Sequence, residues 1–259
     1  MKLQVLVSAV GQDVAGMAER MNLETEATII NQCSCFAYEE YEHRGCRIRC
    51  YSLAERGVGL SRNNGLMRAD GELCLFGDED IVYDCGYGVE IEEAFARHPE
   101  ADMLLFNVRV APARKTYWNE GEKRVRWYNY GRYPAYSMAA RTESLHRANI
   151  SFSLLFGGGA RYSNGEDSLF LRDCLRAGLR ILALPVVIGE EKERESTWFH
   201  GYNDKFFRDR GVLYHYLYGR MALPFSLRFL MAHGKEMCSE IGWRKAWELM
   251  LEGIREGKG

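Results

Sequence analysis

No stretch of this 259-residue chain approaches the roughly 20 consecutive apolar residues that a membrane-spanning helix needs. Nor is a secretory leader expected: Met1 to Val10 reads as a strand and runs at once into Gly11, far short of a leader's apolar core and cleavage site. A cytoplasmic protein is expected, and peripheral contact with the inner face of the membrane stays compatible with that expectation. Charge of one sign is also lacking. Lys and Arg number 34 against 36 Asp and Glu, for a net charge of -2, so the basic excess of a nucleic-acid binder is absent. With 47% hydrophobic and 27% charged residues, the composition excludes a disordered chain and fits one generous soluble domain that needs neither disulfides nor metals to fold. The eight cysteines (Cys33, Cys35, Cys46, Cys50, Cys74, Cys85, Cys174 and Cys238) show no repeated pair spacing. The C-x-C at Cys33 and the C-x3-C at Cys46 make neither a zinc site nor a disulfide framework, and reduced thiols are expected. His43, His98, His146, His215 and His233 share no spacing and read as structural or surface residues. Internal repeats and low-complexity linkers are absent.

What is present is an alternation of strands and helices. Leu3 to Val10 is an apolar run rich in Val and Leu, and Val14, Met17, Ala18 and Met21 follow it at helical spacing. Strands are expected at Ala27 to Asn31, near Cys46 to Ser52, at Glu72 to Phe76, at Asp102 to Val110 and at Arg180 to Ile188. Pro185 places the last of these at an edge or terminus of the sheet. Helices are expected from Leu60 to Arg68, from Gly88 to Arg97 and from Glu166 to near Gly178. The basic and aromatic stretch Arg114 to Tyr136 alternates enough to suggest a hairpin beside the sheet, and Leu223 to Ala232 and Glu236 to Arg255 form a final helix pair. The fold class is α/β, with ligands at the carboxyl ends of parallel strands.

The sharpest chemical signal is Asp78-Glu79-Asp80 directly after a buried strand. Two carboxylates one residue apart at a strand end can face one hard cation, Mn2+ or Mg2+, whose shell accepts diphosphate oxygens. An acidic cluster favouring the next helix's dipole is the competing explanation. Similarly, Glu166-Asp167 opening a helix is either an ordinary capping pair or a catalytic pair beside the glycines Gly157-Gly158-Gly159, whose backbone a ligand can approach closely.

The motif order decides between these. Ser61-Arg62-Asn63 on a helix, then an apolar strand ending in Asp78-Glu79-Asp80, then Gly165-Glu166-Asp167, then Glu195-Ser196-Thr197-Trp198, together resemble the family 2 glycosyltransferases of GT-A fold. The resemblance covers Leu3 to Tyr218. It implies a Rossmann-like mixed central sheet flanked by helices, with a nucleotide-sugar-binding half at residues 1–110, an acceptor-binding half at 111–218 and a helical extension at 219–259. It further implies transfer of a sugar from a nucleotide-sugar donor, a UDP-sugar by expectation, to a glycan or lipid-linked acceptor with inversion, in polysaccharide assembly.

Residue by residue, Asp80 would bind the divalent metal and Asp78 would hold the ribose or the metal through water. Arg62 would face the nucleotide, where a guanidinium fork suits phosphate or a base edge, unless it is a helix-surface arginine in a salt bridge. Asn31 and Gln32 stand where relatives carry an acidic residue reading the base; an amide can pair with uracil but supplies no carboxylate. Ser8 is a further donor-pocket candidate. Asp167 would be the general base, drawing the proton from the acceptor hydroxyl, with Glu166 positioning acceptor or base. Relatives place a histidine before the Ser-Thr segment, whereas this chain has Glu193, which could ligate the metal as an oxygen donor, or His200 from beyond Trp198. The aromatic and basic stretch suits an acceptor platform or a guarded sheet edge. The C-terminal helices, with Trp243 and Trp247, either pack back on the domain or meet a membrane or partner. Two competing functions use the same logic: a nucleotidyltransferase, which Val10-Gly11-Gln12-Asp13 disfavours because it is no basic glycine loop, and a non-catalytic sugar-nucleotide-binding scaffold.

Overall fold

The computed structural model describes residues 1–192 and 201–258. Its centre is a ten-stranded mixed sheet. Strands β1 (Leu3–Val10), β2 (Glu26–Gln32), β4 (Cys46–Leu53) and β5 (Leu73–Asp78) are parallel, with β1 between β2 and β5. β1 and β2 are buried along nearly their whole length, which is why they read as continuous apolar runs rather than alternating ones. On the far side, β9 (Met138–Arg141) lies antiparallel between β5 and β7 (Met103–Arg109), and β10 (Ile181–Glu191) runs parallel to β7. The short β6 (Ile81–Tyr83) closes that edge antiparallel to β10.

Successive residues of a strand point to opposite faces, and two cores result. Val5, Val7, Leu75 and Phe106 lie on one face beneath α1 (Met17–Arg20) and α3 (Tyr87–Arg97). Leu6, Phe76, Leu105 and Ala183 lie on the other, beneath α2 (Val58–Met67) and α5 (Glu166–Arg176), with Phe152 and Phe170 stacked 3.9 Å apart. A third cluster joins α6 (Asp204–Tyr218), α7 (Ala222–Met237) and α8 (Trp243–Glu256) through Phe207, Leu230, Ala246 and Met250. Helix α6 serves two clusters at once: Phe206 and Phe207 face the bundle, while Val212, Leu213 and Leu217 complete the second core.

Several expectations need correction. The exposed, Glu-rich β3 (Ala37–His43) pairs antiparallel with β4 and forms the sheet's edge, where charge guards against further pairing. The two-residue turn Arg44-Gly45 joins them with φ of +50° and +76°, the positive pair that a tight hairpin requires. Pro185 does not mark an edge, since β10 sits between β7 and β6. The proline falls where the β7 ladder shifts register between Ala183 and Val187, a bulge that needs no N–H there. Residues 114–136 are not a hairpin. Only β8 (Lys123–Arg124) pairs with β10, and the rest is irregular because side chains capture its backbone. The Asn107 amide exchanges hydrogen bonds with the Asn119 backbone at 3.0 and 2.9 Å, and Tyr117 Oη donates to the Phe106 carbonyl at 2.7 Å. The helix α4 (Thr142–Arg147) was also unanticipated. Among the described residues, no helix is long and apolar enough to cross a membrane.

Candidate active site

Three parallel strands end at one cleft of about 180 Å3: β1 contributes Ser8 and Val10, β2 contributes Gln32, and β5 contributes Asp78 with Glu79 and Asp80 in the turn behind it. Val58 and Arg62 of α2, Gly158 and Glu166 line one wall, and Arg114, Tyr136 and Glu191 line another. This is the carboxyl edge of the parallel strands, where such sheets bind ligands.

Arg62 organises the site. Its side chain is only 4% exposed. Nη1 donates to Glu166 Oε1 at 3.1 Å and to Asp167 Oδ1 at 2.7 Å, while Nη2 donates to both Asp78 oxygens at 3.1 and 3.3 Å. One guanidinium thus joins the end of β5 to the first turn of α5, across the sequence between the two halves. Burial alone would lower its pKa, but the charges of Asp78, Asp167 and Glu166 prevail and keep it firmly protonated. Its neighbours in the Ser-Arg-Asn motif fix the helix that carries it. Ser61 Oγ donates to Ser8 Oγ at 3.1 Å, and the Asn63 amide clamps the Phe152 backbone, donating at 2.9 Å and accepting at 2.7 Å. Gly59 lets α2 lie against residues 152–153, because a Cβ there would overlap the Ser153 carbonyl oxygen.

Asp167 behaves unlike an ordinary aspartate. Burial raises its pKa, the Glu166 and Asp78 charges raise it further, and Arg62 only partly opposes them, so it is pushed up to about 8. Glu166 lines the cleft, and Asp167 sits one residue on, bound to the same Arg62 nitrogen. The glycines before α5 make room for this pair: Gly157, at φ +105°, faces the Glu166 carboxylate, and a Cβ there would come within 2.8 Å of it.

The structure therefore brings together Ser8, Gln32, Arg62, Asp78, Asp80, Glu166 and Asp167, from distant parts of the sequence. Asn31 is not among the cleft residues. Its carboxamide is engaged on both sides by the Gln12 backbone, accepting from N–H and donating to C=O at 3.0 Å each. It thus shapes the loop after β1. Gln32 accepts from Gly57 N–H at 2.7 Å and holds the entrance of α2 against β2. Glu193, His200 and the Glu195-Ser196-Thr197-Trp198 motif lie outside the described residues. Arg114, Tyr136 and Glu191 were not singled out from the sequence as donor-site residues. Arg114 Nη2 pairs with Glu191 Oε1 at 2.7 Å, and the available clue was Glu191's place near the end of an apolar strand.

A divalent cation suits this donor set. Asp78 and Asp80 offer hard oxygen ligands at the strand end. Among the described residues, no three His, Cys, Asp or Glu side chains converge on one point, so a bound ion would take further oxygens from its substrate.

No protein-family model matches the sequence, and no curated protein matches it. Solved structures do match in fold. The 1–349 portion of S. aureus TarS in complex with UDP-GlcNAc superposes with a TM-score of 0.65 at 17% identity, over 98% of this chain and 81% of that one. The mannosyltransferase PcManGT from Pyrobaculum calidifontis, in complex with GDP-Man and Mn2+, gives 0.54 at 13% identity, over 99% and 87%. The chain has the GT-A glycosyltransferase fold.

Proposed function

We propose that this protein is a metal-dependent glycosyltransferase that moves a sugar, with inversion, from a nucleotide-sugar donor of the UDP class to a glycan or lipid-linked acceptor in polysaccharide assembly. The observation that carries the proposal is the Arg62 bridge, which ties Asp78 at the strand end to Glu166 and Asp167 at the helix start, beside a cleft that Asp78, Asp80 and Glu166 line. Structural neighbours captured with UDP-GlcNAc and with GDP-Man support a donor of this kind.

The chemistry asks little more of the residues present. The acceptor hydroxyl oxygen attacks the anomeric carbon from the face opposite the diphosphate, and its proton passes to the Asp167 carboxylate. The anomeric C–O bond breaks and the nucleoside diphosphate leaves with the electron pair. A general base works best with a pKa near the working pH, and burial beside Glu166 has moved Asp167 there. When bound, Mn2+ or Mg2+ supplies neutralisation of the diphosphate charge, with Asp78 and Asp80 as carboxylate ligands. Arg62 holds both carboxylate groups in register, and Ser8 and Gln32 border the donor.

Calorimetric titration of UDP into the protein, with and without Mn2+ and repeated on Asp80→Ala, tests the assignment. Manganese-dependent binding that the variant loses is the expected result. If UDP, GDP and the other nucleoside diphosphates all fail to bind in either condition, the donor site is wrong and a non-catalytic role on the same fold takes its place.

A further inference from the structure

A second concave surface lies away from the cleft. Residues 127–132 and the facing sides of α6 and α7 enclose a groove of about 390 Å3, within the roughly 300–1,000 Å3 of small-molecule sites. Its composition is one-sided. Trp127 and Tyr128 are 69% and 62% exposed, with their rings perpendicular and 5.5 Å apart. Tyr218 stacks on Phe225 at 4.0 Å across the floor. Arg132 and Arg228 supply positive charge, and no Asp or Glu lines the groove. Neither arginine forms an ion pair among the described residues; Arg132 instead leans over the Tyr133 ring at 5.7 Å.

Exposed aromatic rings lose hydrogen-bonded water easily and stack on the C–H faces of sugars, while unpaired guanidinium groups seek carboxylate or phosphate in fork geometry. The groove also adjoins the catalytic helix. A side chain at Gly131 would come within 3.9 Å of Ser168 Oγ, and Ser168 follows Asp167 directly.

We infer that this groove binds an extended acceptor, an oligosaccharide bearing carboxylate or phosphate groups, with Trp127 as stacking platform and Arg132 and Arg228 as anion readers. The inference rests on the transferase reading, since it places the acceptor's arm beyond the hydroxyl that reacts at Asp167. A neutral glycan would use the rings but leave the arginines unmatched, and a bilayer presents no sugar face for the Trp127 and Tyr128 rings to stack on.

The test is calorimetric titration of the full chain with tetragalacturonate, a phosphorylated maltotetraose and plain maltotetraose, at two salt concentrations, alongside flotation with phosphatidylglycerol vesicles. At least one anionic oligosaccharide should bind tenfold or more tightly than maltotetraose, and its affinity should fall with salt. Trp127→Ala and Arg228→Gln should each weaken it at least tenfold; both side chains are exposed, and an unchanged melting temperature certifies the fold. Equal binding of all three sugars, binding of none, or indifference to both variants overturns the inference, as does capture by vesicles without oligosaccharide binding. The UDP titration separates this from the donor reading. Oligosaccharide bound without UDP sinks the donor site and leaves the groove, whereas UDP bound with neither anionic sugar sinks the groove alone.

Discussion

Replacing Arg62 with Gln should damage the protein more than any other single change in the cleft. The substitution removes the cation that Asp78, Glu166 and Asp167 share, whose nitrogens lie 2.7 to 3.3 Å from their oxygens. Its side chain is 4% exposed, so water cannot replace the lost charge. Removing one partner of a buried ion pair costs about 3–5 kcal/mol. At roughly 2–4 °C per kcal/mol for a chain of this size, the melting temperature should drop by about 6–20 °C. Urea and thermal unfolding at pH 7 in EDTA measure the loss. Because the residual cost is repulsion among carboxylates, lowering the pH to 5 or adding Mn2+ should recover part of it. Arg62→Lys keeps a charge but not the fork, and should fall between wild type and Arg62→Gln. A glutamine variant that melts with the wild type and shows no pH-dependent gap would refute the bridge as the element that organises the site.

Asp167→Asn should lower transfer by at least about 100-fold, as loss of a general base does, while leaving UDP affinity near wild type; initial-rate and binding measurements compared side by side check this. The same residue predicts a pH effect on stability in the metal-free protein. Its folded pKa of about 8 lies far above the ordinary aspartate value of 3.8, so the folded state retains a proton that the unfolded state releases. Stability from this group is full at low pH and is lost as the pH rises toward and through about 8. Denaturant titrations between pH 6 and 9 should show that decline in wild type and a flatter curve in Asp167→Asn. Gly59→Ala should destabilise by about 1–3 kcal/mol, the cost of overpacking, since its Cβ meets the Ser153 carbonyl; an unchanged unfolding midpoint would contradict that contact.

The sequence displayed the parallel half of the sheet clearly, because β1, β2 and β5 are buried on both faces and leave apolar runs bounded by glycine or acids. It hid what depends on long-range partners. β9 is four residues long and becomes a strand only by inserting between β5 and β7. β3 carries the charges of a loop because it is an edge. The acids of the cleft were legible as motifs, but the motif could not reveal that Arg62 would turn to three carboxylates. That outcome depends on Glu166 and Asp167 arriving more than a hundred residues later in the chain. Asn31 spends its amide on the Gln12 backbone, a contact that its strand-end position did not announce.

Helix α6 packs its Leu213 against Gly165, the residue just before α5, where any side chain would overlap it. The same helix is locked to α8 through Gly211 and Gly253, each pressed against the other helix's backbone. The C-terminal bundle is therefore geared to the turn that carries Glu166 and Asp167, so a substitution that loosens the bundle should be felt at the cleft. Bundle and cleft should also melt in a single cooperative step.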